Sequence, residues 1–369
     1  MKFYGNVSGN TEANIGYSVT IGSDCYYICG QVTDTIQKPG IIKTNFGGNT
    51  IWEKTFGGSR KGYLSKIISL GDGSVISTGQ VTDGTSGNTD ILVVKINADG
   101  SGAVQNTFSG SGNMTGTDIL QTSEGFLILG TTDAESIPPP TDSTGNPAGK
   151  KDILILRIDG NLNEIVQPVQ TGFPGNDAGA AIKPDVGGGY IIAGTTDRYS
   201  ASDKNDIILV KVNSDFSITD PAIIKDAEDD YVSDIEVVDD GYMIAGTIGS
   251  SGVTQSVFVT KMPFNIQLAP VFKQKISNAP ASWSVNAMCK YKTSSFLLAG
   301  QENTSSQNQM LIFVIDAGGN LIGSQEKIEG SSGTQVAYDV VSDSDNNIIV
   351  VGANIYQSNS LITLLKFRF

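Results

Sequence analysis

The chain has 369 residues, 39% of them hydrophobic and only 17% charged, with a mean hydropathy of −0.05; that is too apolar for a disordered polyelectrolyte, and no run of ~18 apolar residues marks a membrane helix. Lys and Arg number 24 against 38 Asp and Glu, a net charge of −14, so the molecular field repels nucleic-acid phosphate and anionic lipid. Histidine is absent, which excludes Ser-His-Asp and Cys-His catalysis and every His-ligated metal centre.

In chain order, Met1 leads straight into a strand-like segment, Lys2-Phe3-Tyr4-Gly5, so any export signal is expected to lie outside this chain. An apolar run closing on glycine then recurs seven times: YYICG at Gly30, VISTG at Gly79, FLILG at Gly130, YIIAG at Gly194, YMIAG at Gly246, FLLAG at Gly300 and IIVVG at Gly352. The intervals are 49, 51, 64, 52, 54 and 52 residues. A second apolar run follows each, as in DILVVKIN from Asp90, DILILRID from Asp152 and DIILVKVN from Asp206. After it come a turn and a further strand ending in a Gly-rich loop, as in IWEKTFGGS. The runs are short, β-branched and aromatic, with Gly, Asn, Asp and Ser between them, and no 3.6-residue periodicity is sustained.

Four short strands at a period near 50 residues predict a β-propeller, since the rungs of a β-solenoid are about half that length. The expected fold class is all-β: a seven-bladed β-propeller with four antiparallel strands per blade, spanning 1–369 as one domain. Residues 2–5 form an outer-type strand and 361–369 a third-type strand, so the two ends are expected to pair and close the last blade, which protects edges that otherwise invite aggregation. The 64-residue interval carries a Pro-rich insertion at 134–150. Cys25 and Cys29 fall on one strand at a Cα spacing of roughly 13 Å, beyond disulfide reach. Cys289 lies far along the chain, so free thiols are expected.

The unit resembles repeats of exported bacterial β-propellers, of the Bacteroidetes secreted or lipoprotein kind. The residues that carry the likeness are Trp52-Glu53-Lys54-Thr55-Phe56-Gly57-Gly58, Gly188 to Thr196 (GGYIIAGTT) and Asp206 to Lys211. The resemblance covers essentially the whole chain and implies export to the cell envelope, with a lipid anchor through a segment not included here; it implies no particular activity.

Residues repeated in most units must serve scaffolding. Lys43, Lys95, Arg157, Lys211, Lys261 and Lys366 share one third-strand position and read as stems packed on a neighbour with the charge at the edge. Asp90, Asp152 and Asp206, and Asp34, Asp83, Asp133 and Asp197, read as turn carboxylates bonding local amides. Oxygen donors abound, yet no calcium-loop spacing occurs, so no metal and no cofactor are expected.

Function is sought where the repeat symmetry breaks, on the face with the longer loops. Tyr63, Tyr231 and Trp283 are placed at equivalent starts of innermost strands, where other units have Ile15, Thr115, Ala178 and Gln335; aromatics there could stack on sugars at the channel mouth. Arg60 and Lys61 could hold a carboxylate. The acidic run Asp226, Glu228, Asp229 and Asp230 reads as a solvated face. The expected function is a non-catalytic module recognising a glycan or a surface protein through Arg60, Lys61, Tyr63, Asp177, Asp230, Tyr231 and Trp283, with no nucleic-acid partner. The alternative is a carbohydrate hydrolase or lyase using carboxylates in the channel mouth, drawn from Asp177, Glu228 and Asp230, because glycoside hydrolysis needs two Asp or Glu and no histidine. A structural part in a larger surface assembly is the third reading.

Overall fold

The computed structural model describes residues 1–369 except 6–12, 34–35, 85, 134–150, 174, 198–203, 220, 226, 250–253, 305–307, 329–332 and 357–358. The described residues contain β-strands and no helix. Strand β1 (Lys2–Tyr4) precedes blade 1, formed by β2–β5 (Ile15–Ile21, Cys25–Thr33, Gln37–Asn45, Thr50–Thr55). Blade 2 is β6–β9 (Gly62–Ser69, Val75–Thr82, Thr89–Ile96, Val104–Phe108), and blade 3 is β10–β13 (Met114–Gln121, Phe126–Thr132, Asp152–Ile158, Glu164–Thr171). Blade 4 is β14–β17 (Asp177–Pro184, Tyr190–Thr196, Asp206–Val212, Ala222–Ile224), and blade 5 is β18–β21 (Asp230–Val238, Gly241–Ile248, Ser256–Met262, Phe272–Ile276). Blade 6 is β22–β25 (Ser282–Tyr291, Ser295–Asn303, Asn308–Asp316, Leu321–Ile328), and blade 7 is β26–β28 (Thr334–Ser342, Ile348–Tyr356, Asn359–Phe367) with β1 as its outer strand.

Every blade is a four-stranded antiparallel sheet, and in blade 7 Lys2, Phe3 and Tyr4 pair with Leu364, Thr363 and Ile362. The second and third strands read as unbroken apolar runs because they are covered on both faces. Seven buried hydrophobic clusters follow, one for each pair of adjacent blades. The cluster between blades 7 and 1 holds Tyr4, Val19, Tyr26, Ile28, Ile349, Val351, Ile362 and Leu364, so the ring closes by packing as well as by hydrogen bonds.

All seven innermost strands carry a register shift at the same place, for example between Gly16 and Ser18, Leu64 and Lys66, and Gly116 and Asp118. A bulge leaves one residue unpaired and re-aims it, here toward the axis. The glycine that ends each second-strand run faces this bulge. A Cβ on Gly30 would collide with the Ile15 carbonyl oxygen, and one on Gly352 with that of Val336; close backbone approach therefore explains the repeated glycine.

The third-strand cations sit where a scaffolding role requires. Arg157 meets Glu124 at 2.9 Å and lies 3.4 Å from the centre of the Phe216 ring, Lys211 meets Asp185 at 2.9 Å, and Lys43 donates to the Ala98 carbonyl at 2.8 Å. Asp133 and Asp197 accept hydrogen bonds from the backbone and side-chain amides of Asn113 and Asn176. Asp34 lies outside the described residues, as does the 134–150 insertion. The three cysteines are free; Cys25 and Cys29 are buried and Cys289 is half-buried.

Candidate functional site

The unpaired bulge residues, Tyr17, Ser65, Thr117, Ala180, Ser233, Asn286 and Tyr338, come from all seven blades and line a cavity of about 110 Å³ on the axis. Several stitch the ring: Ser65, Thr117, Ser233 and Asn286 each donate to the innermost-strand carbonyl of the next blade, Gly116, Gly179, Val285 and Ala337 respectively. The following residue is Asp in blades 3, 5 and 7. Asp118 accepts the amides of Ile119 (2.8 Å) and Ile182 (2.9 Å), and Asp234 those of Ile235 (2.8 Å) and Met288 (3.2 Å). Asp339 accepts the amides of Val340 and Val19 and the Ser18 hydroxyl.

Two lysines enter the same cavity. Lys66 Nζ stands 3.4 Å from Asp339, while Lys183 Nζ stands 3.6 Å from Asp234 and 3.0 Å from Glu236. Burial alone would lower the Lys66 pKa, but Asp339, Asp118 and Asp234 raise it on balance; Asp234, Glu236 and Asp118 do the same for Lys183. Burial pushes Asp118 above the usual carboxylate range even with Lys66 and Lys183 nearby, and it pushes Glu236 up against the pull of Lys183. Three carboxylates, Asp118, Asp234 and Asp339, thus line one cavity with two ammonium groups, and Glu236 reaches Lys183. Tyr17 packs against both Tyr63 and Tyr338, with ring centroids 5.1 Å apart in each pair. Burial raises the phenol pKa of all three.

The residues expected from sequence divide. Tyr63 belongs to the axial tyrosine cluster, and its hydroxyl donates to Gln80 (3.3 Å). Tyr231 occupies the equivalent position in blade 5, is 39% exposed, and its hydroxyl accepts from Asn205. Trp283 does not join them. Its cross-strand partner is Glu302 rather than Gln301, so Ser284 holds the position equivalent to Tyr63 and Tyr231, and Gln335 is displaced by one residue in the same way, Val336 taking that place. Because side chains alternate along a strand, Trp283 turns into the interface between blades. It is 1% exposed, packs on Phe313 and donates its indole N–H to Glu302 at 2.9 Å. It is a core residue, not a sugar platform.

Arg60 is not an open carboxylate clamp: its guanidinium donates to Thr107 at 2.9 Å and stands 3.8 Å from Asp90. Lys61 is exposed, and its carbonyl accepts the Thr82 amide. Glu228 is solvated and paired with Lys275 at 2.6 Å, while Asp230 is buried against Lys273 at 2.5 Å. Asp226 lies outside the described residues. Asp177 is fully buried and accepts the Phe173 amide at 2.7 Å. Burial pushes it up to about 7 against the Thr196 hydroxyl and that amide, with Asp152 and Asp197 adding to the rise. Asp152, expected as a turn carboxylate, is instead buried beside Asp177 and pushed up to about 6. The axial acids and lysines were not picked out from sequence, although Thr117-Asp118-Ile119, Ser233-Asp234-Ile235 and Tyr338-Asp339-Val340 repeat in alternate units.

No protein-family model matches the chain, and neither does any curated protein sequence. Solved structures do match in fold. A puromycin hydrolase aligns at a TM-score of 0.57 and 9% identity over 94% of this chain, which spans only about half (50%) of that protein. The α-L-arabinofuranosidase Arb93A from Fusarium graminearum aligns at 0.52 and 10% identity over 100% of this chain and 98% of its own. The β-propeller domain of the Trilobed protease from Pyrococcus furiosus aligns at 0.52 and 10% identity, covering 97% and 94%. That domain is described as having an open velcro topology, whereas here β1 completes the sheet of β26–β28.

At these identities the likeness shows the fold: this is a seven-bladed propeller. The expectation of a non-catalytic module finds no support among these neighbours and is corrected to the alternative reading taken up below. That expectation rested on the missing histidine and nucleophile, yet the structural neighbours include hydrolases, and one, a glycosidase, is matched along nearly its entire length. Carboxylates suffice for glycoside hydrolysis.

Proposed function

We propose that this propeller is a carboxylate-dependent hydrolase of glycosidic bonds, with the reaction at the axial cavity. The observation that carries this reading is the split environment of the axial acids. Asp118 is held up by burial, while Asp339, 3.4 Å from the Lys66 ammonium, is ion-paired. A carboxyl held up by burial and a second carboxylate ion-paired in the same cavity are the two groups that glycoside hydrolysis needs. Asp118 would donate its proton to the leaving glycosidic oxygen. Asp339, paired with Lys66, would act as the second carboxylate, attacking the anomeric carbon or activating water, according to the carboxylate separation in the substrate complex. Tyr17 and Tyr338 line the cavity and offer ring faces and hydroxyls for a sugar, with Tyr63 packed behind Tyr17. The full-length fold match to an arabinofuranosidase makes furanosides the first substrates to try. With this goes the proposal that the protein acts outside the cytoplasm, as the repeat resemblance implies, on envelope or environmental glycans.

The test is a panel of aryl glycosides that includes α-L-arabinofuranosides, assayed with wild type, Asp118→Asn and Asp339→Asn, each shown to be folded by circular dichroism. Loss of a general acid costs about 10²–10⁴-fold in rate, and that loss is expected for Asp118→Asn. Failure to cleave any member of the panel, or turnover indifferent to both substitutions, refutes the proposal.

A further inference from the structure

At the blade junctions, the residue that opens the third strand of one blade lies beside the residue that opens the innermost strand of the next. Backbone bonds fix the arrangement: Asp177 N–H donates to Lys151 O and Asp230 N–H to Asn205 O, both at 2.8 Å. Between blades 4 and 5 the pair is Asp206 and Asp230, and the protein supplies a cation, Lys273, 2.5 Å from Asp230. In blade 2 the corresponding Asp90 faces the guanidinium of Arg60 at 3.8 Å. Between blades 3 and 4 the pair is Asp152 and Asp177, and among the described residues no lysine or arginine pairs with either.

These two residues are 6% and 0% exposed, and among the described residues Oδ1 of each is buried without a hydrogen-bond partner. Each carboxylate bears the cost of desolvation, and Asp152 adds to the rise of Asp177. Neighbouring carboxylates with unused oxygens and no counter-charge among the described residues match the demand of Ca²⁺, a hard cation that takes 6–8 oxygen ligands and accepts irregular geometry. Among the described residues, the corresponding acids Asp90 of blade 2 and Asp230 of blade 5 each face a basic side chain instead.

We propose that Asp152 and Asp177 bind a divalent cation, Ca²⁺ in particular, through their Oδ1 atoms, with water completing the shell. Asp152 opens β12, so the ion would tie the start of that strand to blade 4. This site is separate from the axial acids, and the proposal does not depend on the catalytic reading.

The experiment uses the whole chain stripped with EDTA. Thermal melting is followed at neutral pH with and without millimolar CaCl₂, and Tb³⁺ binding is followed by its sensitised luminescence. Ca²⁺ is expected to raise the melting temperature by about 2 °C or more. Asp152→Asn should abolish the shift and Tb³⁺ binding, while Asp72→Asn on the opposite face should leave both intact. Should Asp152→Asn fail to fold, anomalous diffraction from Tb³⁺-soaked crystals of wild type decides: an ion between Asp152 and Asp177 supports the site, and an ion elsewhere overturns it. Absence of both shift and Tb³⁺ binding in wild type, or a shift that survives in folded Asp152→Asn, also overturns it.

Discussion

Asp118, Asp234 and Asp339 each face two demands. Their oxygens receive amides from their own strand and from the next blade, which joins blade 3 to 4, 5 to 6 and 7 to 1, and Asp339 and Asp234 also pair with Lys66 and Lys183. Away from the axis, Asp152 and Asp177 set a pH dependence. Their folded pKa values, about 6 and about 7, lie above the usual 3.8, so between those limits the folded state binds more protons than the unfolded one. The sign follows from linkage: their contribution is fully present below about pH 4 and is lost as pH rises through 6 to 7. In EDTA, Asp152→Asn/Asp177→Asn should therefore flatten the decline of melting temperature between pH 5 and 8; an unchanged slope would show that these two acids do not set it. Trp283→Ala should cost about 3–5 kcal/mol by opening a core cavity, read by denaturant melting, while kcat/KM per folded molecule stays at the wild-type value.

The strands themselves were legible because each run had to bury both faces, a demand that writes itself into composition. The bulge was not. An extra residue in the innermost strand leaves no mark in an apolar pattern, and only the facing glycine betrays it. That is why Tyr63 and Tyr231 were correctly equated, whereas Trp283 and Gln335 were each placed one residue out: their loops vary in length, and counting back from Gly300 and Gly352 gives Ser284 and Val336. The axial acids hid for a related reason. Asp118, Asp234 and Asp339 follow the bulge, so their meeting on the axis depends on ring geometry rather than on local spacing. Gly30→Ala tests the bulge directly. With the Ile15 carbonyl in the way, the substitution should destabilise by about 1–3 kcal/mol in a chemical melt; a neutral result would mean the innermost strand can move aside.

Closure of the ring governs the whole molecule. Its last contacts join residues near 2–4 to residues near 362–364, so folding must bring together the most distant parts of the sequence, and slow, non-local kinetics follow. Removal of residues 1–5 should bare the edge of β28 and the apolar surface that Tyr4 covers, and it loses the hydrogen bond from the Tyr4 hydroxyl to Gly48. The truncated chain is expected to melt earlier and to self-associate through that edge, a change visible by light scattering; a monomer of wild-type stability would show that packing alone closes the ring. The fold was readable at this scale because seven copies of one unit leave little choice of architecture. The chemistry was less so, since a missing histidine rules out some hydrolases but leaves carboxylate mechanisms untouched.

The most direct test of the catalytic reading is a crystal structure of the protein with a furanose iminosugar bound. The account predicts the sugar in the axial cavity against Tyr17 and Tyr338, with its ring nitrogen or neighbouring oxygens within hydrogen-bond reach of Asp118 and Asp339. Density for the sugar on an outer blade surface, or none at the axis with inhibitor in excess, would contradict it.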